Sequence, residues 1–148
     1  GKFDWEISLW EDYNEGNVVF ENDQLMYGSF NELVKYLTSG SKTDTDFVST
    51  FLLTYRSFAT PDILCEKLLD RFNGAFSRFE DTQEPSYKII YTRCINVLVK
   101  WMETSYKDFN DEMLLRISEI VQTLGEESQL GKKLDQCMIE HVYFFFVF

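Results

Sequence analysis

The sequence is poor in the residues that most often build catalytic and metal sites. Its 148 residues include one histidine, three cysteines and two prolines, and no CxxC, HExxH or GxSxG segment occurs. The odd number and wide spacing of Cys65, Cys94 and Cys137 argue against a disulfide framework. Each lies among apolar residues, so we expect buried, reduced thiols. A single histidine, His141, without a cluster of further ligands predicts a structural role and no metal site.

Positive charge is also scarce. The chain has 14 lysine and arginine residues against 25 aspartate and glutamate residues, for a net charge of -11. A protein that follows a phosphate backbone needs a basic stripe, and because none is visible, the sequence excludes nucleic-acid binding. Between Gly1 and Asp23 there are seven acidic residues and one lysine, so an anionic membrane surface would repel this segment.

Long apolar runs are missing as well. The opening GKFDWEISLW is too acidic for a signal peptide, and the closing VYFFFVF is too short to span a bilayer, so we expect no stable membrane insertion. What the sequence does contain is 45% hydrophobic and 17% aromatic residues, enough for one globular domain with a substantial core. We expect an acidic N-terminal arm over residues 1–17 and a helical domain over residues 18–148.

The first half of the chain predicts a short hairpin followed by helices. The β-prone runs of VVFENDQLMYG flank a polar turn, which is typical of a β-hairpin. Ser29 and Glu32 form a capping box for the first helix, which ends near Gly40. Asp44 or Thr45 caps the second helix. Its apolar face is predicted to comprise Phe47, Val48, Phe51, Leu52, Tyr55 and Phe58.

Thr60 and Pro61 predict the start of a third helix, because threonine caps helices well and proline fits the first helical position. Asn73-Gly74 is expected to end this helix. Residues 75–86 are then predicted to form a surface loop that Pro85 closes.

The remaining pattern predicts three more helices. A fourth spans residues 86 to about 106, a fifth is capped by Asn110 or Asp111 and ends at Gly125, and a last begins near residue 130. With about six helices and no strong sheet signal, the chain is expected to be an all-α bundle with a short N-terminal β-hairpin.

Two near-matches to binding motifs fail. GEESQLGKK has five residues between its glycines, where a P-loop has four, and no serine or threonine follows its lysine. Asp108, Asn110, Glu112 and Glu119 fit part of a calcium-loop register, but Met113 stands where the turn needs glycine. Helix capping explains the polar run from residue 108 to residue 111 better. We therefore expect no catalytic residue, cofactor or metal.

The segment DFVSTFLLTYRSFATPDILCEKLLDRF, residues 46–72, carries a specific resemblance. It resembles the signature of the Ras exchanger motif, the N-terminal domain of Ras-type guanine nucleotide exchange factors. The family pattern is roughly F-x-x-T-F-L-x-T-Y-R-S-F, followed by T/S-P-x-x-L-L-x-x-L-x-x-R-F. MYGSFNELVKYLT and RCINVLVKWMETSYKDF are similar to the family's opening and later segments. The resemblance covers Val18 to Leu124, and Cys65 departs from it in place of a leucine.

The resemblance implies a non-catalytic regulatory module. In this family, exchange activity belongs to a separate catalytic domain, so we expect no enzymatic activity in this chain. The family's N-terminal domain docks against the catalytic domain and steadies it, and in some members a second Ras molecule binds between the two. The expected motif core comprises Phe47, Phe51, Leu52, Tyr55, Phe58, Pro61, Leu64, Leu68, Phe72 and Trp101.

The implied partners are a catalytic exchange domain of the same or a related chain and a Ras-family GTPase. The implied location is the cytoplasm, with other domains providing any recruitment to a membrane surface. Two alternatives stay open from the residues alone: a stand-alone adaptor that binds a small GTPase or another partner, and an unrecognised enzyme. A catalytic exchange domain beyond Phe148 would favour the regulatory module over the adaptor.

The closing segment VYFFFVF is apolar on all sides, whereas a helix packed on a core needs only one apolar face. The segment is expected either to fold back into the core or to form a docking surface that a second copy of the chain covers. The candidate docking residues are Tyr143, Phe144, Phe145, Phe146 and Phe148.

If the closing segment is a docking surface, the isolated chain should be a homodimer or aggregate, because so many adjacent apolar side chains are unfavourable in water. Deletion of residues 143–148 should then give a soluble monomer, which sedimentation at tens of micromolar would detect. A full chain that sediments as a monomer would contradict the docking surface and favour the folded-back tail.

Overall fold

The computed structural model describes residues 19–21, 24–27, 30–39 and 44–143, with side chains for 30–39 and 44–142. The described elements are β1 Val19–Glu21, β2 Gln24–Tyr27, α1 Phe30–Leu37, α2 Thr45–Thr54, α3 Pro61–Thr82, α4 Pro85–Ser105, α5 Asp111–Leu124 and α6 Gln129–Cys137. Short 3-10 turns, Tyr55–Ser57 and Tyr106–Asp108, follow α2 and α4, and a π-helical turn, Met138–Tyr143, continues α6. The predicted all-α bundle of about six helices is confirmed.

The predicted hairpin is present at the start of the described chain. Strands β1 and β2 pair in antiparallel fashion, with Phe20 opposite Leu25 and Glu21 opposite Gln24. The turn between the strands lies outside the described residues, as do the predicted cap Ser29 and the predicted breaker Gly40. The two strands form a small ribbon beside a helical domain.

Polar caps fix the starts of three helices as the sequence predicted. The side chains of Asp44, Thr60 and Asn110 each accept a hydrogen bond from the backbone N–H three residues further on, at 2.9, 3.3 and 2.9 Å. Each bond satisfies a donor that a helix leaves free at its first turn. The structure thus selects Asp44 over Thr45 and Asn110 over Asp111.

The length of α3 corrects the sequence prediction. The predicted end at Asn73-Gly74 and the predicted loop over residues 75–86 are both wrong, since α3 continues without interruption to Thr82. The chain then reverses at Gln83, which adopts the left-handed conformation with φ of 58°, and α4 begins at Pro85.

Aromatic packing explains why α3 does not stop at Gly74. Phe72, Phe76 and Phe79 follow one another at helical spacing and surround the ring of Tyr91 on α4, with ring centroids 5.7, 5.3 and 5.9 Å from it. A glycine inside a helix costs about 1 kcal/mol. Aromatic pairs contribute about 0.5–1.5 kcal/mol each beyond the area they bury, so this packing outweighs the cost of Gly74.

The long antiparallel pair α3 and α4 is the frame on which the other helices pack. The connection between them has only two residues, which forces neighbouring, antiparallel helices. The side chains between all six helices form one continuous buried core. Representative members are Leu33, Phe51, Leu64, Leu68, Ile95, Leu98, Ile117 and Leu134.

Within the described residues, no helix combines the length and the apolar character that crossing a bilayer requires.

The predicted apolar face of α2 is correct up to Tyr55 and wrong at Phe58. Phe51 and Tyr55 are almost completely buried, whereas Phe58 is 48% exposed. The reason is that regular helical spacing ends before this residue. Phe58 is the C-cap after the 3-10 turn Tyr55–Ser57, and the chain is no longer helical from residue 58 to residue 60.

Replacement of Phe51 by alanine should destabilise the domain by about 3–5 kcal/mol, because it removes a buried aromatic ring and leaves a cavity. Phe51 contacts the rings of Phe47 and Tyr55, with centroids 6.0 and 6.3 Å away. Urea unfolding followed by circular dichroism measures the change. Leu53→Ala on the same helix is the control, since Leu53 is exposed and its truncation should change stability by about 0.5 kcal/mol or less. Equal losses for the two variants would contradict the structure.

Candidate functional site

A buried carboxylate joins the two halves of the recognised sequence. The side chain of Asp108 is only 8% exposed. Its Oδ2 accepts hydrogen bonds from the Tyr55 hydroxyl at 2.7 Å and from the Trp101 indole Nε1 at 2.8 Å. Its Oδ1 accepts a hydrogen bond from Nη2 of Arg56, so the two groups form an ion pair. We name these four residues the Asp108 cluster.

Local structure brings the four residues together. Tyr55 and Arg56 lie in the 3-10 turn after α2, Trp101 lies near the end of α4, and Asp108 ends the 3-10 turn that follows α4. The Tyr55 ring meets Trp101 edge to face at 5.6 Å, and Phe109 packs on the other side of Trp101 at 4.5 Å. These rings shield the Oδ2 side of the carboxylate, which strengthens its hydrogen bonds from Tyr55 and Trp101.

The cluster raises the pKa values of two of its members, Tyr55 and Arg56. Burial raises the pKa of Tyr55, and the hydrogen bond to Asp108 raises it further, so the phenol keeps its proton and acts as a donor. The hydrogen bond to Asp108 likewise raises the pKa of Arg56. The guanidinium and the two neutral donors thus fix the orientation of the Asp108 carboxylate.

A second polar contact ties α1 to α3. Arg71 is buried in the core, and its Nε donates a hydrogen bond to Oγ1 of Thr38 at 2.5 Å. The Thr38 hydroxyl in turn donates to the Val34 carbonyl at 2.8 Å. Burial lowers the pKa of Arg71. Both Thr38 and Arg71 lie in the segments on which the family resemblance rests, so polar residues of those segments have internal partners.

The residues expected to form the motif core occupy three kinds of position. Phe58 is half exposed and Pro61 is partly buried at the first turn of α3. The other eight are buried, namely Phe47, Phe51, Leu52, Tyr55, Leu64, Leu68, Phe72 and Trp101. The side chains expected to form a docking surface, Tyr143, Phe144, Phe145, Phe146 and Phe148, lie outside the described side chains, so that surface stays a prediction.

Asp108 falls in the rejected calcium-loop register and in a family-like segment, but the sequence did not identify this residue as a hydrogen-bond acceptor. The polar run from residue 108 to residue 111 was assigned to helix capping, and Asn110 does cap α5. Asp108 serves a different purpose, as the acceptor for Tyr55 and Trp101. A signal was available, because a buried tryptophan needs an acceptor for its indole N–H and Asp108 is the first acidic residue to follow the helix that carries Trp101.

All three cysteines are buried and unpaired. Burial raises the pKa of the Cys65 and Cys94 thiols to about 12 and that of the Cys137 thiol to about 11. Because the thiolate is the reactive form, none of them has the character of a catalytic nucleophile. The predicted buried, reduced thiols are confirmed.

Exposed side chains, three of them apolar, lie close in sequence to Tyr55 and Arg56 of the Asp108 cluster. Leu53 is 79% exposed, the Arg56 side chain is 61% exposed, and Phe58 and Ile63 are also exposed. We name these four residues the α2–α3 corner. Apolar side chains around an arginine are a composition that protein interfaces favour. Of these four residues, Arg56 is held by its hydrogen bond to Asp108.

Replacement of Asp108 by alanine should destabilise the domain by about 1–3 kcal/mol for each of the two donors, Tyr55 and Trp101, that it leaves without an acceptor; the ion pair with Arg56 adds little, because the Arg56 side chain is 61% exposed. Asp108→Asn keeps one acceptor oxygen and should therefore reduce the stability of the domain less than Asp108→Ala does. Thermal unfolding followed by circular dichroism gives the ranking. Asp135→Ala, which removes an exposed carboxylate on α6, is the control. A loss for Asp108→Ala no larger than for this control would contradict the cluster.

Comparison with known proteins agrees with this geometry. Residues 24–120 match the model of the RasGEF N-terminal motif. Relatives from Dictyostelium discoideum include Ras guanine nucleotide exchange factor A, 35% identical over 70% of this chain, and Ras guanine nucleotide exchange factor B, 34% identical over 73% of this chain. This chain spans only 16% and 8% of the length of those two proteins. The chain belongs to the RasGEF N-terminal motif family.

Proposed function

We propose that this domain is a non-catalytic regulatory module of a Ras-family guanine nucleotide exchange factor. It docks on the catalytic exchange domain and stabilises the conformation that opens the nucleotide site, in small-GTPase signalling. Membership of the RasGEF N-terminal motif family supports a role within an exchange factor. The relatives are several times longer than this chain, which leaves ample length in them for a separate catalytic domain.

The α2–α3 corner is the observation that carries the proposal. It is exposed and apolar at Leu53, Phe58 and Ile63, yet it is held from inside by the buried Asp108 cluster. A rigid surface loses little conformational entropy on binding. The corner is therefore suited to hold a partner domain in one orientation, which is what a stabilising module must do.

The energetic requirement is modest. A module favours the active state of its partner only by the difference between its affinities for the active and inactive states. A difference of about 1.4 kcal/mol shifts that equilibrium tenfold. Two or three buried apolar side chains supply free energies of this size, so the corner is large enough.

We also propose that the module includes residues 18–148, with residues 1–17 as an acidic arm. The family match ends at residue 120, but α6 lies beyond it and packs on the same core. Leu134 is completely buried, and the Cys137 thiol donates to the Val99 carbonyl of α4 at an S···O distance of 3.6 Å. The last helix therefore belongs to the same folded unit.

The proposed partners are a catalytic exchange domain, in the same or a related chain, and through it a Ras-family GTPase. The proposed location is the cytoplasm, with other domains responsible for recruitment to membranes. The alternative, a stand-alone adaptor that binds a GTPase directly and forms a homodimer through residues 143–148, is distinguished by the experiment below.

The test is a chimera in which this domain replaces the matching segment of Ras guanine nucleotide exchange factor A, assayed by release of labelled GDP from Ras. Leu53→Asp in the chimera should slow release by roughly five- to thirtyfold, since an interface residue of this kind contributes about 1–2 kcal/mol. Ile89→Asp is the matched control. Ile89 is also exposed, but it lies at the opposite end of the α3–α4 pair.

Three outcomes separate the alternatives. Slower release for Leu53→Asp alone supports the proposal. Equal rates for the chimera and both variants would contradict docking through the α2–α3 corner. Binding of the isolated domain to Ras in the absence of any catalytic domain would favour the adaptor, and faster GDP release by the isolated domain would show an enzyme.

A further inference from the structure

Three side chains of different chemistry converge where α6 ends. They are Glu103 on α4, Cys137 at the last position of α6, and His141 in the π-helical turn. A carboxylate oxygen, the thiol sulfur and an imidazole nitrogen all lie within 4.8 Å of one another. The sequence predicted a structural His141 without further ligands nearby, and the fold brings two such groups to it.

The backbone explains this convergence. Cys137 and His141 are four residues apart on a continuous helical segment, so their side chains project from the same face. On α4, Val99 and Glu103 are also four residues apart. Because the Cys137 thiol donates to the Val99 carbonyl, the same face of α4 meets α6, and Glu103 lies one turn further along it. The ligand set is therefore built from two packed helices and not from a loop.

The exposure of the three residues suits an ion that enters from solvent. Cys137 is buried, the His141 side chain is 39% exposed, and Glu103 is exposed. The buried thiol would be the innermost ligand, and the more exposed side chains of Glu103 and His141 can rotate towards an ion. In a tetrahedral zinc site the ligand atoms are about 3.5 Å apart, given bonds of about 2.0–2.3 Å. Movements of about 1 Å by the Glu103 and His141 side chains would bring the three ligand atoms to this separation.

The surrounding charges favour a cation. Glu140 lies beside the cluster, with Oε2 4.0 Å from His141 Nε2, and its Oε1 accepts a hydrogen bond from Gln136 at 2.7 Å. It can serve as a fourth ligand or hold the imidazole in place, as carboxylates near metal-binding histidines do. The nearby cation Lys133 donates to Oδ1 of Asn96 at 3.0 Å, so it already has a partner outside the three ligands.

We propose that Glu103, Cys137 and His141 form a binding site for a divalent transition metal ion, with zinc as the best match. A thiolate and an imidazole select zinc and related ions, whereas magnesium and calcium prefer oxygen ligands alone. The ion would displace the thiol proton and connect α4 to the π-helical turn. It would thereby fix the direction in which the chain leaves residue 143.

The test uses Co²⁺ as a spectroscopic probe on the full 148-residue chain under reducing conditions. Binding should produce a thiolate-to-cobalt charge-transfer band and the visible bands of a tetrahedral site, saturating at one ion per chain and disappearing when Zn²⁺ is added. His141→Gln and Glu103→Gln should each weaken binding by about tenfold or more. Cys137→Ser should abolish the charge-transfer band. Cys94→Ala, which removes a buried thiol elsewhere, is the matched control. It should keep both the affinity for Co²⁺ and the charge-transfer band.

Thermal unfolding with and without Zn²⁺ gives a second, independent readout. Zinc should raise the midpoint of the parent chain, because a ligand that binds only the folded state stabilises it, and it should not raise that of His141→Gln. His141 and Glu103 are not in the core, so these variants should fold. A charge-transfer band that is missing in the parent, or unchanged in both His141→Gln and Glu103→Gln, would show that the proposal is wrong.

Discussion

The buried carboxylate of Asp108 is the constraint on which this domain is organised. A carboxylate removed from water is very unfavourable unless hydrogen-bond donors surround it. Here the donors come from Tyr55 and Arg56, more than fifty residues earlier, and from Trp101 on α4. All three must be in place at once, so the end of α2 has one permitted position against α4. The α2–α3 corner inherits its shape from that requirement.

The contact between Arg71 and Thr38 is similar, except that the buried charge is positive and needs a hydrogen-bond acceptor. The buried Arg71 guanidinium donates a hydrogen bond to the Thr38 hydroxyl in the turn directly after α1, and the end of α1 is thereby held against α3. Some polar residues of the recognised segments, such as Tyr55 and Arg71, thus have partners inside the domain, and most of the apolar motif residues fill the core. Much of the motif by which the family is recognised therefore explains how the domain folds. Leu53 and the motif residue Phe58 are exceptions, because both are exposed.

The sequence predicted what depends on neighbouring residues and missed what depends on distant ones. Caps at Asp44, Thr60 and Asn110 were predictable, because a cap bonds to a backbone group three residues away. The continuation of α3 past Gly74 was not, because it depends on Tyr91 of the next helix. The end of helical geometry before Phe58, which leaves that ring half exposed, had no clear local signal either.

The candidate site shows the same division. The motif indicated that Tyr55 and Trp101 are buried, and both are, but the common partner Asp108 is separated from Tyr55 by 53 positions. Spacing along one helix could relate Cys137 to His141. It could not supply Glu103, which arrives from α4 only once the helices have packed. Sequence patterns report single helix faces, and sites formed between helices appear only with the fold.

The two ends of α4 therefore have different parts in the domain. Its first half, around Tyr91, is packed by the aromatic residues of α3 and serves the core alone. Its last turns carry Trp101 on one side, towards the Asp108 cluster, and Val99 and Glu103 on another, towards α6. A shift of this end of α4 would disturb the α2–α3 corner and the π-helical turn together.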